Sequence, residues 1–189
     1  MTSKFQQNLE EHRELFARLE PLAEPVGRAA QLIAAALGSG RKLMICGNGG
    51  SAADSQHLAA EFTGRFINDR RPLAAMALST DSSALTCIAN DYSFDEVFSR
   101  QVLGLGAAGD CLLAISTSGN SRNVVRAVEG ARELGMHSIG LLGRDGGQLA
   151  AMCAVAIIVP SASTARIQEA HIMIGHTLCG MVEAALSLA

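Results

Sequence analysis

Tryptophan is absent from the 189 residues and tyrosine occurs once, so aromatic side chains make up only 4% of the chain. Base stacking needs such rings, and a basic surplus is missing as well. Lys and Arg number 15 against 18 Asp and Glu, a net charge of −3. Both shortages argue against nucleic acid as a partner. Long hydrophobic runs are also lacking. Although 49% of residues are hydrophobic, no uncharged apolar stretch reaches the roughly 18 residues of a membrane helix. The longest, residues 149–159, stops at Pro160, so no membrane partner is expected. The N-terminal stretch MTSKFQQNLEEHRE has no apolar core after its first charges, and no secretory signal is read there. Paired cysteines are missing too. Cys46, Cys87, Cys111, Cys153 and Cys179 lie singly in apolar segments without a CxxC spacing. That predicts reduced packing thiols, a cytoplasmic setting and no zinc site built from cysteine. With no repeat, linker or low-complexity segment, the chain suits one domain over 1–189, a helical segment at 1–40 preceding an α/β core at 41–189.

What is present alternates between two hydrophobic periods. Residues 5–19 and 24–38 carry apolar positions at helical spacing, such as Phe5, Leu9, Phe16 and Leu19, separated by Pro21 and Pro25. Short apolar runs then predict strands at 42–46, 73–78, 110–115, 137–142 and 154–159. Their lack of alternation suits strands covered on both faces. Helical stretches near 52–66, 82–90, 94–104, 122–134 and 147–152 lie between them, and a final helix covers about 164–187. This βαβ series predicts an α/β fold with a five-stranded parallel sheet between helical layers. The last helix is apolar almost all round, which predicts burial of a second face against another subunit.

Leu43 to Phe62, LMICGNGGSAADSQHLAAEF, concentrates the chemistry. An apolar strand enters a glycine turn, and a helix with His57 and Glu61 follows. Gly47, Gly49 and Gly50 allow backbone N–H groups to face an anion. Ser51 can cap the helix or donate its hydroxyl, and the helix's positive end favours phosphate. His57 and Glu61, at i and i+4, share a helix face. The turn matches the loose G-x-G-x-x-G/A dinucleotide pattern, but no acidic residue ends the second strand: Asp69 precedes it and Asp81 lies too far along. A tight βα turn without a ligand is the bland alternative.

A second loop, Ser116-Thr117-Ser118-Gly119-Asn120-Ser121, leads from a strand into a helix at Arg122. Capping needs one hydroxyl; four around one glycine can surround a phosphate without a lysine. Two such loops at carboxyl ends of parallel strands meet in one crevice. Asn90 and Asp91 end a helical stretch and serve either a site or the capping of the next element at Ser93. On the last helix lie Gln168, Glu169, His171 and His176, the last within an apolar run where an imidazole needs a partner.

CGNGGSAAD, STSGNS and ARIQEAH, in that order, resemble the sugar isomerase (SIS) domain family, over essentially the whole chain. The resemblance is greatest to the members that isomerise sedoheptulose 7-phosphate to D-glycero-D-manno-heptose 7-phosphate for ADP-heptose and lipopolysaccharide core synthesis. It implies a homotetramer with active sites between subunits. Asn48, Gly49, Gly50, Ser51, Asn90, Asp91, Ser116, Thr117, Ser118 and Ser121 match sugar-phosphate contacts. His57, Glu61, Gln168 and His176 match ligands of one zinc ion per subunit, Glu61 and Gln168 also touching substrate. Ala165 departs from relatives that have aspartate there. A non-catalytic relative that binds a replication initiator resembles the chain at IANDYSFDEVF and LLAISTSGNS, but it lacks counterparts of Glu61 and His176.

The implied reaction moves a proton between C1 and C2 through an enediol, with Glu61 as base and His176 as acid. Zinc would polarise the oxygens as a Lewis acid. A carboxylate cannot be a tight ligand and a free base at one instant. Gln168 and His176 are eight residues apart, about 12 Å along a continuous helix, while zinc ligand atoms sit about 2.0–2.2 Å from the metal. The spacing therefore predicts that the helix begins only after Gln168, or that the two residues serve one ion from different subunits.

Overall fold

Each of the five apolar runs forms a strand of one parallel sheet in the computed structural model, which describes residues 3–188. They are β1 (Leu43–Cys46), β2 (Ala75–Ala77), β3 (Cys111–Ser116), β4 (His137–Gly143) and β5 (Val155–Val159). Their order is β2-β1-β3-β4-β5, with β1 pairing β3 at Leu43↔Cys111 and Cys46↔Ala114. β3 is buried at every position, which is why its sequence shows no polar alternation.

Among the described residues, eight α-helices surround the sheet. They are α1 (Lys4–Phe16), α2 (Ala23–Gly38), α3 (Gly50–Thr63), α4 (Ser82–Asp91), α5 (Ser99–Leu105), α6 (Arg122–Glu133), α7 (Leu149–Met152) and α8 (Thr164–Ala185). Side chains alternate across a strand, so the sheet feeds two cores. Leu43, Ile45, Leu113 and Ile115 pack with Ile33 of α2, Leu58 and Phe62 of α3, and Ile174 and Leu178 of α8. Met44, Cys46, Leu112 and Ala114 pack with Val102 of α5, Val124 and Val128 of α6, and Leu149 of α7. The result is the three-layer α/β domain expected from the sequence.

The differences lie at element ends. β2 is three residues rather than six, because it is an edge strand with Met76 exposed. The expected helix over 94–104 splits into a 3₁₀ turn at Phe94–Glu96 and α5. α3 starts earlier than expected, so Ser51 lies inside it and the N-cap is Gly49. Among the cysteines, Cys46, Cys111 and Cys179 are buried packing thiols as expected, whereas Cys87 is exposed.

α8 buries Ile167, Ile174, Leu178 and Val182, yet Met173 and Met181 on its outer side stay exposed. His171 is fully buried and its Nε2 faces the Leu142 carbonyl at 2.9 Å, while its Nδ1 has no partner. Burial holds this imidazole down to about 4, because a charged ring would bury a second N–H without an acceptor. The unfolded chain takes up a proton near pH 6.5 that the folded chain refuses until about pH 4. His171 should therefore cost about 3 kcal/mol of stability as pH falls through that window. The difference in stability between wild type and His171→Gln should be constant above pH 6.5 and shift toward the variant below it, as read by denaturant unfolding from pH 4.5 to 8. Parallel curves would show that His171 is not held neutral.

Candidate functional site

The strand order reverses direction between β1 and β3, and both glycine–hydroxyl loops leave the sheet there. β1 runs into Gly47–Gly49 and then α3; β3 runs into Thr117–Ser121 and then α6. A crevice at carboxyl ends where connections diverge is where open α/β sheets hold ligands. Gly49 has φ 57° and makes no side-chain cap, a backbone state that costs a residue with Cβ about 1 kcal/mol or more. Ser51 is buried and its carbonyl accepts the Ser55 hydroxyl at 2.7 Å. The first turn of α3 closes on backbone instead, the Ser51 amide donating to the Asn48 carbonyl and the Ala52 amide to that of Gly49, each at 3.0 Å.

The second loop curls on itself. The Ser116 and Ser121 hydroxyls are 3.0 Å apart, the Ser116 and Ser118 hydroxyls 3.4 Å, and the Gly119 amide donates to Ser116 Oγ at 3.1 Å. Ser121 is the N-cap of α6 but makes no capping bond. Gly119 has φ 66°, and a Cβ there would collide with the Gly146 backbone, which lies against this loop. The hydroxyls thus gather at the open end of a twelve-residue helix, whose positive pole suits an anion.

Asn123, a residue the sequence reading did not single out, joins the two loops. Its amide and that of Asn48 exchange two hydrogen bonds, each 2.8 Å, and Asn123 is 3% exposed. Asn on the first turn of a helix was legible only as a weak helix former; its partner lies 75 positions away. Asn90 and Asp91 end α4 and are exposed. The Asn90 amide donates to Asp91 at 2.8 Å, and Ser93 begins the 3₁₀ turn without a side-chain cap. Among the described residues no hydrogen bond links this pair to either loop.

The acid–base groups converge from two helices. His57 Nε2 lies 2.8 Å from His176 Nε2 and 3.4 Å from Glu61 Oε1, and the ligand atoms of the three residues all fall within 4.8 Å of one another. The imidazoles meet edge to face at 5.1 Å, with Phe66 tilted 5.5 Å behind His176. Two imidazole nitrogens and a carboxylate oxygen aimed at one point form a donor set for a divalent transition metal. Tetrahedral zinc would hold such nitrogens about 3.3 Å apart, so a small rotamer adjustment accommodates it.

Gln168 stands elsewhere. Its side-chain amide lies over Gly50, so that a Cβ at Gly50 would collide with it. α8 runs unbroken from Thr164 to Ala185. The expectation that the helix begins only after Gln168 is therefore wrong: the first turn, Thr164–Ile167, already precedes Gln168. Helical rise keeps Gln168 and His176 of one chain well separated.

Asp54 is a second feature the sequence did not reveal. Its Oδ2 is buried without a partner. Burial holds its carboxyl above the usual carboxylate range, against the opposing pull of His57 and His176. It occupies the turn of α3 between Gly50 and His57, on their side of the helix.

The SIS domain family model matches residues 7–143. The chain is 54% identical over 171 residues to the phosphoheptose isomerase of Rhodospirillum rubrum, covering 90% of this chain and 91% of that one. A solved phosphoheptose isomerase from Neisseria gonorrhoeae superposes with a TM-score of 0.91 at 50% identity, over 96% of this chain and 97% of that chain. One from Francisella tularensis gives a TM-score of 0.93 at 36% identity, over 97% and 100%.

If the Asn48–Asn123 pair sets the spacing of the two loops, Asn123→Ala should weaken binding of inorganic phosphate about tenfold, near 1.4 kcal/mol. Titration calorimetry on the folded variant reads this directly. Unchanged affinity would show that the loops hold their spacing without the pair.

Proposed function

This chain belongs to the SIS domain family, and from that premise we propose that it isomerises sedoheptulose 7-phosphate to D-glycero-D-manno-heptose 7-phosphate. The product would feed ADP-heptose and lipopolysaccharide core synthesis in the cytoplasm. The observation that carries the reading is the convergence of His57, Glu61 and His176 beside two anion-binding loops at one switch point. A protein that only bound a partner, such as a replication initiator, would need the fold but not this acid–base cluster.

In this reading the hydroxyls of Ser116, Thr117, Ser118 and Ser121, with the α6 N-terminus, grip the phosphate. Asn48, Gly49, Gly50 and Ser51 line the sugar, and Asn90, Asp91 and Gln168 complete its contacts. Binding the remote phosphate supplies energy that orients the reacting carbons. Glu61 removes the proton from C1 and returns one at C2, while His176 serves the carbonyl oxygen as acid. Each positioned transfer is worth on the order of 10²–10⁴-fold. His57, Glu61 and His176, joined by a Gln168, would hold one zinc ion per subunit, and Glu61 and His176 would each transfer a proton only while off the metal. When bound, zinc supplies Lewis-acid polarisation of substrate oxygens.

The separation of Gln168 from His176 along α8 supports a ligand set shared between subunits. A homotetramer with sites at its interfaces fits the exposed Met173 and Met181. It also fits a groove of about 660 Å³ between α1 and α8 that His176 lines with Phe16 and Phe66.

Purified protein incubated with sedoheptulose 7-phosphate should form the aldose, followed by NMR of the anomeric proton. Glu61→Gln and His176→Asn should each retain less than about a tenth of wild-type kcat. Substantially active variants would remove those residues from proton transfer, and an inactive wild type would overturn the substrate.

A further inference from the structure

We infer that Arg70 is a positioning residue for Glu61, holding the last turn of α3 against α8 through Glu183. The inference rests on the proposed role of Glu61. Arg70 sits in the connection between α3 and β2, and its side chain is only 2% exposed; that of Glu183, on α8, is 3% exposed. The guanidinium uses every edge. Its Nε donates to Glu183 Oε1 at 2.7 Å. Its Nη2 donates to the backbone carbonyl of Glu61 itself at 2.7 Å, and its Nη1 to those of Phe62 at 2.8 Å, Gly64 at 2.9 Å and Arg71 at 3.1 Å.

The carbonyls of Glu61 and Phe62 belong to the last turn of α3, where no following helical amide can take them. A buried cation at this negative helix end satisfies both and complements the dipole. Glu61 thus lies on a turn that would otherwise fray. The same guanidinium fixes that turn to the helix that carries His176, seven residues before Glu183. One planar group ties the two halves of the cluster together. A lysine ammonium has three donors on one centre and cannot span four carbonyls and a carboxylate in this fork. The Glu183 carboxylate accepts as well from the Phe66 amide at 3.4 Å, and Phe66 backs the His176 ring.

A pair this deeply buried is not needed for stability alone, since apolar replacements of similar volume are often neutral or stabilising. The test uses that fact. The double variant Arg70→Met with Glu183→Leu removes the tie while leaving no unpaired buried charge. At 25 °C, with folding verified by circular dichroism, it should bind Zn²⁺ at least tenfold more weakly in competition with a chelating dye. In the metal-free protein, amides from Phe62 to Phe66 should exchange at least tenfold faster. With sedoheptulose 7-phosphate, kcat should fall at least tenfold while KM changes less than about threefold. A folded variant with zinc affinity, exchange and kcat all within twofold of wild type would overturn the inference. If the double variant does not fold, Arg70→Lys is judged by the same three readouts and the same limits. Failure of the wild type to isomerise the substrate would instead overturn the function on which the inference rests, leaving the zinc and exchange results to stand by themselves.

Discussion

α3 and α8 pack side by side, and the rest of the molecule is arranged around how closely they approach. Both leave the carboxyl edge of the sheet and run in the same direction: Gly50 faces Gln168 near their starts, His57 faces His176 midway, and Glu183 reaches the segment after α3. The approach depends on Gly175. A Cβ there would lie 2.6 Å from Leu58 Cδ2 and 2.7 Å from Cδ1, and Leu58 is itself buried in the core. Overpacking of that kind costs about 1–3 kcal/mol when the helices must separate to relieve it. Separation would also part His57 from His176. Packing and chemistry therefore place the same demand on one position.

The two glycine–hydroxyl loops answer to a different constraint. Their placement follows from strand order, since β1 and β3 are neighbours whose connections leave in opposite directions. The Asn48–Asn123 exchange and the contact of Gly119 with Gly146 then set the loops relative to each other and to the loop after β4. The loop end and the His57–Glu61–His176 end of the crevice are thus held by separate devices: polar pairs between loops, and helix packing between α3 and α8. Gln168 above Gly50 and Asp54 one turn later lie between the two ends.

Much of this was legible in the sequence because it is local. The hydroxyl loop announces itself by four hydroxyl residues around Gly119 in six positions. His57 and Glu61 are fixed relative to one another by helical spacing alone. Apolar runs without alternation identified all five strands. Asn123 and Arg70 gave no signal, because each matters through a partner or carbonyl brought near by the fold. Arg70 reads as one charge in a polar stretch, yet its side chain is only 2% exposed. The start of α8 at Thr164 follows the apolar period and removes the late helix start that the metal argument offered, leaving its other alternative, ligands from different subunits.

Composition and spacing by themselves determined the layer architecture, the two loops and the shared helix face of His57 and Glu61, since hydrophobic period and turn chemistry act over a few residues. Only the tertiary structure decided which of those groups share a point in space. It brought His176 to His57 across 119 positions and left Gln168 at the other end of the seam. The physical reason is that contacts between helices depend on the distance and direction at which the sheet sets their axes. No local pattern encodes that distance; it emerges from the packing of Gly175 on Leu58 and the burial of Arg70 with Glu183.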